Sequence, residues 1–396
     1  MGKLLVKNCG FVPELTEGFD GVCGDVLIEN GKIAAIGENL TDPDARVLDI
    51  GGKTLIPGII DMHVHLGPVH NTIRVAGKSI FDSYKFAKYL MEIGVTTVRD
   101  CGNDYFLPAA ALRDAIKEGV IRGPRILSSG NSLCSTAVGN EYYTAFITEH
   151  DGPAEWRKAA RDTFKKGADF IKVVGSGSIM SPGSDPGMRI FEDDEMLEVV
   201  NIANLYNSHV AVHAHGADAV YHAFKCGVRI VEHASFIDQR GIDLLKGNDE
   251  QGITMTLSVL LSGLDANQNS DPAFAYVNEL TRRIAGDVKA CLKNAYDQGV
   301  LIGWGTDIEL EAYQRDPGIE FRARKELGIA DLDILKQATI NSAKLLKLDH
   351  LIGSVKVGKA ADLIVVDGKP QEDISCMYQP PVHVICDGRL VVKEED

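Results

Sequence analysis

Short apolar runs alternate with longer amphipathic stretches through the middle of the chain. The runs are Ile59–His63, Thr96–Arg99, Arg125–Ser129, Phe170–Val174, Val210–His213, Arg229–Glu232, Thr254–Ser258 and Val300–Gly303. Most are continuous rather than alternating, the pattern of parallel strands buried on both faces. Helical periodicity occupies intervening segments such as Phe81–Ile93, Ala154–Lys166, Asp193–Tyr206 and Glu279–Gln298. Eight strand–helix alternations have the length and rhythm of a (β/α)8 TIM barrel, an α/β fold. An open doubly wound sheet is the competing arrangement, but no G-x-G-x-x-G follows the first strand.

Both ends of the chain read differently. Asp25–Gly37 places Asn30-Gly31 between two apolar runs, a hairpin signal because a type I′ turn needs positive φ at both central residues. Ala361–Gly368 and Val382–Val392 are apolar runs punctuated by Asp-Gly. We therefore expect residues 1–55 and 350–396 to pair into one small β-sandwich domain flanking a barrel over 56–349.

Composition narrows the function. Among 396 residues, 41 Lys and Arg face 56 Asp and Glu, a net charge of −15. That balance excludes a general nucleic-acid or anionic-membrane binder, which needs clustered cations. The expected partner is a small-molecule substrate, and a homo-oligomer is left open. The eight cysteines are scattered with no C-x-x-C pair, which favours reduced thiols in a cytoplasmic enzyme. Met1–Val6 starts no long apolar segment, so no secretion signal is expected, and no apolar run is long enough to span a bilayer.

Reactive side chains fall at strand ends, where barrels carry their chemistry. His63 and His65 are two apart on the first strand, so both imidazoles point to one side of the pleat and can reach one ion. Lys172 sits inside the apolar fourth strand. It is a cation snorkelling to the rim, a partner of Asp169 or a nearby carboxylate, or a neutral amine that captures CO2 as a carbamate bridging two cations. His213 and His215 share a side at the fifth strand end. There His213 is the expected ligand, and His215 is a substrate contact, an orienting group or a packing residue. His233 ends the sixth strand as a ligand, with Glu232 in a supporting place. Asp307, after the eighth strand, is a ligand, a general base or a cap for the next helix.

Around them, Gly175–Gly187 lacks the G-K-[S/T] ending of a phosphate loop and is expected to form a lid over the fourth strand. Glu309-Leu310-Glu311 is expected to be a solvated loop, recognition of a cationic group being the alternative. His70 is near enough to the first strand to be noted. Asn140 and Ser181 are further candidate substrate contacts.

Pro57–Leu66 resembles the first-strand signature of the amidohydrolase superfamily of metal-dependent hydrolases, and Ala360–Val365 resembles that superfamily's return to its β domain. The set His63, His65, Lys172, His213, His233 and Asp307 resembles the superfamily's binuclear subtype with a carboxylated lysine. Lys172–Gly177, Ser181–Gly183, His213–Gly216 and Ile230–His233 look most like the branch of prolidases, Xaa-Arg/Lys dipeptidases and imidazolonepropionases. The resemblance implies two divalent ions, zinc first, with manganese, cobalt and iron also compatible. His63, His65 and Asp307 would hold one ion, and His213 and His233 the other. A CO2-derived carbamate on Lys172 and a hydroxide would bridge them, with Asp307 and Lys172 as the catalytic pair. It implies amide (C–N) hydrolysis, of an Xaa-Pro or Xaa-Arg/Lys dipeptide or an N-acyl amino acid. The alternatives are a mononuclear cyclic-amide hydrolase or deaminase, and a lactone or carbamate hydrolase. One departure is plain: Ser135–Asn140 lacks the histidine that helps such dipeptidases hold the substrate carboxylate.

Overall fold

The computed structural model describes residues 2–67, 75–102, 107–181, 183–264 and 275–391. His70 and Pro182 lie outside the described residues. Eight parallel strands form the barrel: β1 (Ile59–Val64), β2 (Val95–Asp100), β3 (Arg125–Ser128), β4 (Ile171–Val174), β5 (Val210–Ala214), β6 (Ile230–His233), β7 (Gly252–Met255) and β8 (Ile302–Trp304). β1–β2–β3 pair in one sheet and β4 through β8 pair in order in another. Backbone bonds join the two: Asp169 N–H to Ser128 O at 2.8 Å beside β3, and Asp307 N–H to His63 O at 2.9 Å between the β8 end and β1. The second join needs close backbones. A Cβ on Gly305 would lie 2.4 Å from Thr254 Cγ2 and 2.9 Å from His63 Cβ, so only glycine fits there.

Helices wrap this barrel: α1 (Ala76–Glu92), α2 (Pro108–Lys117), α3 (Pro153–Lys165), α4 (Asp193–Leu205), α5 (Ala217–Lys225), α6 (Gln239–Leu245), α7 (Leu257–Leu264), α8 (Ala275–Asp297), α9 (Leu310–Arg315) and α10 (Ile319–Glu326). Local chemistry sets their ends. α3 starts with proline in its first turn and buries Trp156, Ala159, Ala160 and Thr163, an i, i+3, i+4, i+7 stripe. α4 opens on a reciprocal capping box between Glu192 and Glu195.

The termini share one antiparallel-rich sheet. Thr54–Pro57 pairs with Lys3–Phe11 on one side and with Leu363–Val366 on the other. Cys23–Glu29 and Lys32–Gly37 form the expected hairpin, with Asn30 and Gly31 at φ +52° and +78°. His383–Cys386 and Arg389–Val391 repeat the device, with Asp387 and Gly388 at +50° and +71°. This sheet has its own core, including Val6, Leu55, Leu363 and Ile385.

Two strands were not anticipated. After β3 the chain bends into Ser132–Cys134, which pairs with β4, and Ile147–Glu149 lies parallel beside it. Thr256–Ser258, read as the end of a strand, instead leads into α7. The reason is that Thr254–Ser258 continues directly into Val259-Leu260, and an apolar run does not itself mark where extended backbone stops.

An apolar floor underlies the functional end of the barrel. Phe170, Ala211 and Ile230 belong to one buried cluster with Ile60 and Met62. Each stands two residues before Lys172, His213 and Glu232 respectively, so strand periodicity sets a polar layer directly above an apolar one. Phe170 stacks on His209 with centroids 5.2 Å apart and supports the Arg99 guanidinium at 5.3 Å.

Candidate active site

Two donor sets meet at the C-terminal ends of the strands. His63, His65 and Asp307 bring ligand atoms within 4.8 Å of one another, and so do His213, His215 and His233. The sets adjoin, because the His63 and His233 rings are 5.0 Å apart. Every histidine has one ring nitrogen held by a neighbour. His63 Nδ1 lies 2.9 Å from Glu232 Oε2 and His65 Nδ1 lies 3.1 Å from Gly102 O. His215 Nδ1 meets Ser235 Oγ at 2.8 Å, and His233 Nδ1 meets Thr256 Oγ1 at 2.7 Å. His213 differs, its Nε2 lying 3.5 Å from Gly177 O. Anchoring one nitrogen aims the other, which is how metal-site histidines are oriented.

The inward atoms converge on Asp307. Its Oδ1 is 3.4 Å from both His63 Nε2 and His65 Nε2, and its Oδ2 is 3.9 Å from His233 Nε2. Burial first, and then the repulsion a proton on the ring would meet from Lys172 and from a protonated neighbouring histidine, holds His63, His213 and His233 far below the ordinary imidazole pKa. Burial brings His215 down to about 3. These rings are therefore neutral, the form that donates lone pairs to a cation. Burial also raises the Asp307 carboxyl to about 7, against the opposing pull of Lys172.

Backbone strain accompanies the site. His233, Ala234 and Asp307 have φ of +66°, +48° and +56°. Such conformations in non-glycine residues cost on the order of 1–3 kcal/mol each and gather at functional sites. At β6 the reversal explains how Glu232 and His233, adjacent in sequence, both serve the same end of the barrel.

Lys172 is buried, and among the described residues its Nζ has no hydrogen-bond partner. The salt bridge to Asp169 weighed from the sequence does not form, because Asp169 binds Arg113 Nη1 at 2.6 Å and the Ser128 amide at 2.9 Å. Snorkelling fails too, since the side chain stays inside. Lys172 exerts its charge on both donor sets, on His63 and Asp307 as on His213 and His233. An unpaired buried ammonium is expensive. A carbamate at this atom, beside divalent ions held by the two donor sets, would remove that cost, and the neutral imidazoles suit such ions. The residues thus fit a two-metal, carboxylated-lysine centre.

Glu232 supports the centre from below. Its Oε1 accepts from Arg99 Nη2, while its Oε2 holds His63, and all three side chains are buried. Asp61 does similar work beside it. It accepts from the His63 amide at 3.0 Å, the Thr306 hydroxyl at 2.7 Å and the Tyr313 hydroxyl, tying β1 to the β8 end and to α9. Tyr313→Phe is expected to destabilise the fold by about 1–3 kcal/mol, because it strips a buried, desolvated carboxyl of a donor. Urea unfolding checks this, and a loss under about 0.5 kcal/mol would show the bond is dispensable.

The site opens into a cavity of about 520 Å³. Ser181 is buried and lines it, and the Ser181 and Ser178 hydroxyls bind Tyr143, a lining residue the sequence did not single out. Asn140 also lines it, but its amide nitrogen is engaged by Ser135 O at 3.0 Å and Glu149 Oε1 at 2.7 Å, which makes it a brace for the loop after β3. The Gly175–Gly187 segment does cover the β4 end. It is stapled there by Ser178 N–H to Ser184 Oγ at 3.0 Å and by the His215 amide to Ser176 Oγ at 3.0 Å.

Comparison with known proteins shows the family and the fold. The model of the amidohydrolase family matches residues 54–391. Ochratoxinase of Aspergillus niger is 28% identical over 375 residues, covering 85% of this chain and 75% of its own. Imidazolonepropionase of Fusobacterium nucleatum is 24% identical over 393 residues, covering 87% and 85%. A crystal structure of a Xaa-Pro dipeptidase with methionine bound in its active site superposes with a TM-score of 0.85 at 29% identity, covering 98% of this chain and 99% of that one.

Proposed function

Since the chain belongs to the amidohydrolase family, we propose that it is a binuclear metal-dependent hydrolase that cleaves the amide C–N bond of a dipeptide or an N-acyl amino acid. The observation that carries this reading is the unpartnered Lys172 Nζ, buried between two imidazole and carboxylate donor sets. His63, His65 and Asp307 would hold one ion, His213 and His233 the second, and the Lys172 carbamate would bridge them. Zinc suits the donors best. When bound, the ions supply hydroxide at neutral pH and a Lewis acid for the scissile carbonyl.

The chain's own groups do the rest. Asp307, at the end of β8 beside His63, His65 and His233, takes the proton of the attacking water and returns it to the leaving nitrogen. His215 is kept uncharged and its Nδ1 is fixed by Ser235, so its Nε2 faces the substrate. Glu232 and Arg99 keep the His63 ring from turning. Residues of α7 and α8 give the cavity an apolar wall. A mononuclear deaminase-like centre is disfavoured, because position 216, where those enzymes carry glutamate, is Gly216. No described helix is long and apolar enough to cross a membrane, and the scattered cysteines support a cytoplasmic, reducing setting.

The test is a hydrolysis screen of the metal-loaded protein against dipeptides, N-acyl amino acids, cyclic amides and lactones, before and after chelation. Turnover of dipeptides or N-acyl amino acids, lost on chelation and restored by zinc or manganese, is the expected result. Hydrolysis of lactones alone, or chelator-resistant activity, would overturn it.

A further inference from the structure

Beyond the metal centre, the described cavity wall carries three formal charges: Glu309 just before α9, and Glu311 and Arg315 on it. Arg315 is the one cation of that wall besides Lys172. It is exposed and lines the cavity, and among the described residues no hydrogen bond or ion pair engages it. Glu311 stands four residues earlier on the same helix, the spacing at which a glutamate and an arginine ordinarily pair, yet the two do not join. Acids outnumber cations 56 to 41 in this chain. Solvated glutamates at a rim are therefore its ordinary surface, and Arg315 is the cation that the outer wall of this cavity offers.

The rest of the wall is of opposite character. Leu257 and Leu260 of α7 and Val277, Val288 and Leu292 of α8 present a buried apolar surface. A substrate that satisfies the whole cavity thus has an apolar portion and an anionic one.

We propose that Arg315 is a specificity-determining residue whose guanidinium binds a free carboxylate on the amine half of the substrate, while an apolar acyl half packs against α7 and α8. This rests on the amide-hydrolase reading above. The direction follows from connectivity. Asp307, which hands a proton to the leaving nitrogen, follows β8, and Arg315 closes α9, the next helix; with the acyl half on α7 and α8, the group Arg315 reaches belongs to the leaving amine. The guanidinium fork matches a carboxylate with two parallel N–H···O bonds. Glu309 and Glu311 repel a carboxylate placed elsewhere along this rim, which sets the substrate's register. The substrate class is an N-acyl α-amino acid, or a dipeptide with an apolar first residue and a free C-terminus.

Two measurements on the metal-loaded enzyme test this. Calorimetric binding of L-phenylalanine and L-leucine is compared with binding of L-phenylalaninol and L-leucinol, which keep the amine and side chain but lack the carboxylate. Wild type should favour the acids by roughly ten- to a hundredfold. Arg315→Met should level acid and alcohol, and Arg315→Lys should recover part of the difference. In kinetics, Arg315→Met should raise KM for dipeptides with a free C-terminus and leave kcat/KM for their C-terminal amides unchanged. A wild type without acid preference, or an Arg315→Met protein that keeps it, would overturn the assignment. Should the acids bind through Arg315 while no amide is cleaved, the carboxylate site stands and the amide-hydrolase reading fails. Amide cleavage with no acid preference would be the reverse.

Discussion

Lys172→Ala is expected to leave a folded protein that retains at most one ion per chain and loses at least about a thousandfold in kcat/KM. The reason lies in the burial of Nζ without a partner at the junction of both donor sets. A buried lysine without a partner is costly, and the proposed carbamate would replace its positive charge with a negative one and supply an oxygen ligand to the metal centre. Truncation removes that oxygen from both sites at once. Short carboxylic acids such as acetate or propionate fit the space left and should restore part of the activity. Elemental analysis and steady-state rates, with and without the acids, check this. Full activity in Lys172→Ala, with two ions still bound, would show that the amine is only a core residue.

The second large effect is expected at Glu232. Glu232→Gln keeps the shape of the side chain but leaves the Arg99 guanidinium buried opposite a neutral group. Breaking a buried ion pair from one side costs about 3–5 kcal/mol. The pair is fully enclosed, and Arg99 Nη1 already has no partner of its own, so little else is at hand to absorb the charge. His63 simultaneously loses a charged anchor for its Nδ1. Loss of such a support costs about ten- to a hundredfold in metal affinity. Urea unfolding of the metal-free protein reads the first effect, and competitive metal titration reads the second. A stability loss under about 1 kcal/mol with unchanged affinity would mean that Glu232 and Arg99 are not coupled to the site.

The barrel was legible in the chain because each strand is a short apolar run that helical sequence interrupts. The hairpins at Asn30-Gly31 and Asp387-Gly388 were legible because few residues tolerate the positive φ they adopt. Ser132–Cys134 and Ile147–Glu149 were not, since three residues carry no periodicity. At the site, the histidines were readable because two-residue spacing on a strand puts His63 with His65, and His213 with His215, on common faces. Arg99 escaped notice as a polar end to an apolar run. Its partner is 133 positions away, and only barrel closure brings them together. Asp61 was read as part of a motif, while its bonds to Thr306 and Tyr313 depend on β1 meeting the β8 end. Arg315 looks like any arginine at a helix end, and the absence of a partner is a property of three dimensions alone.

The most direct test of the central claim is the number of ions per chain in the native protein, measured together with the carbon-13 signal of a carbamate after exchange with labelled CO2. Two divalent ions and one carbamate that Lys172→Ala abolishes are the predicted result. One ion with no carbamate signal would contradict the binuclear centre and return the chain to a mononuclear hydrolase.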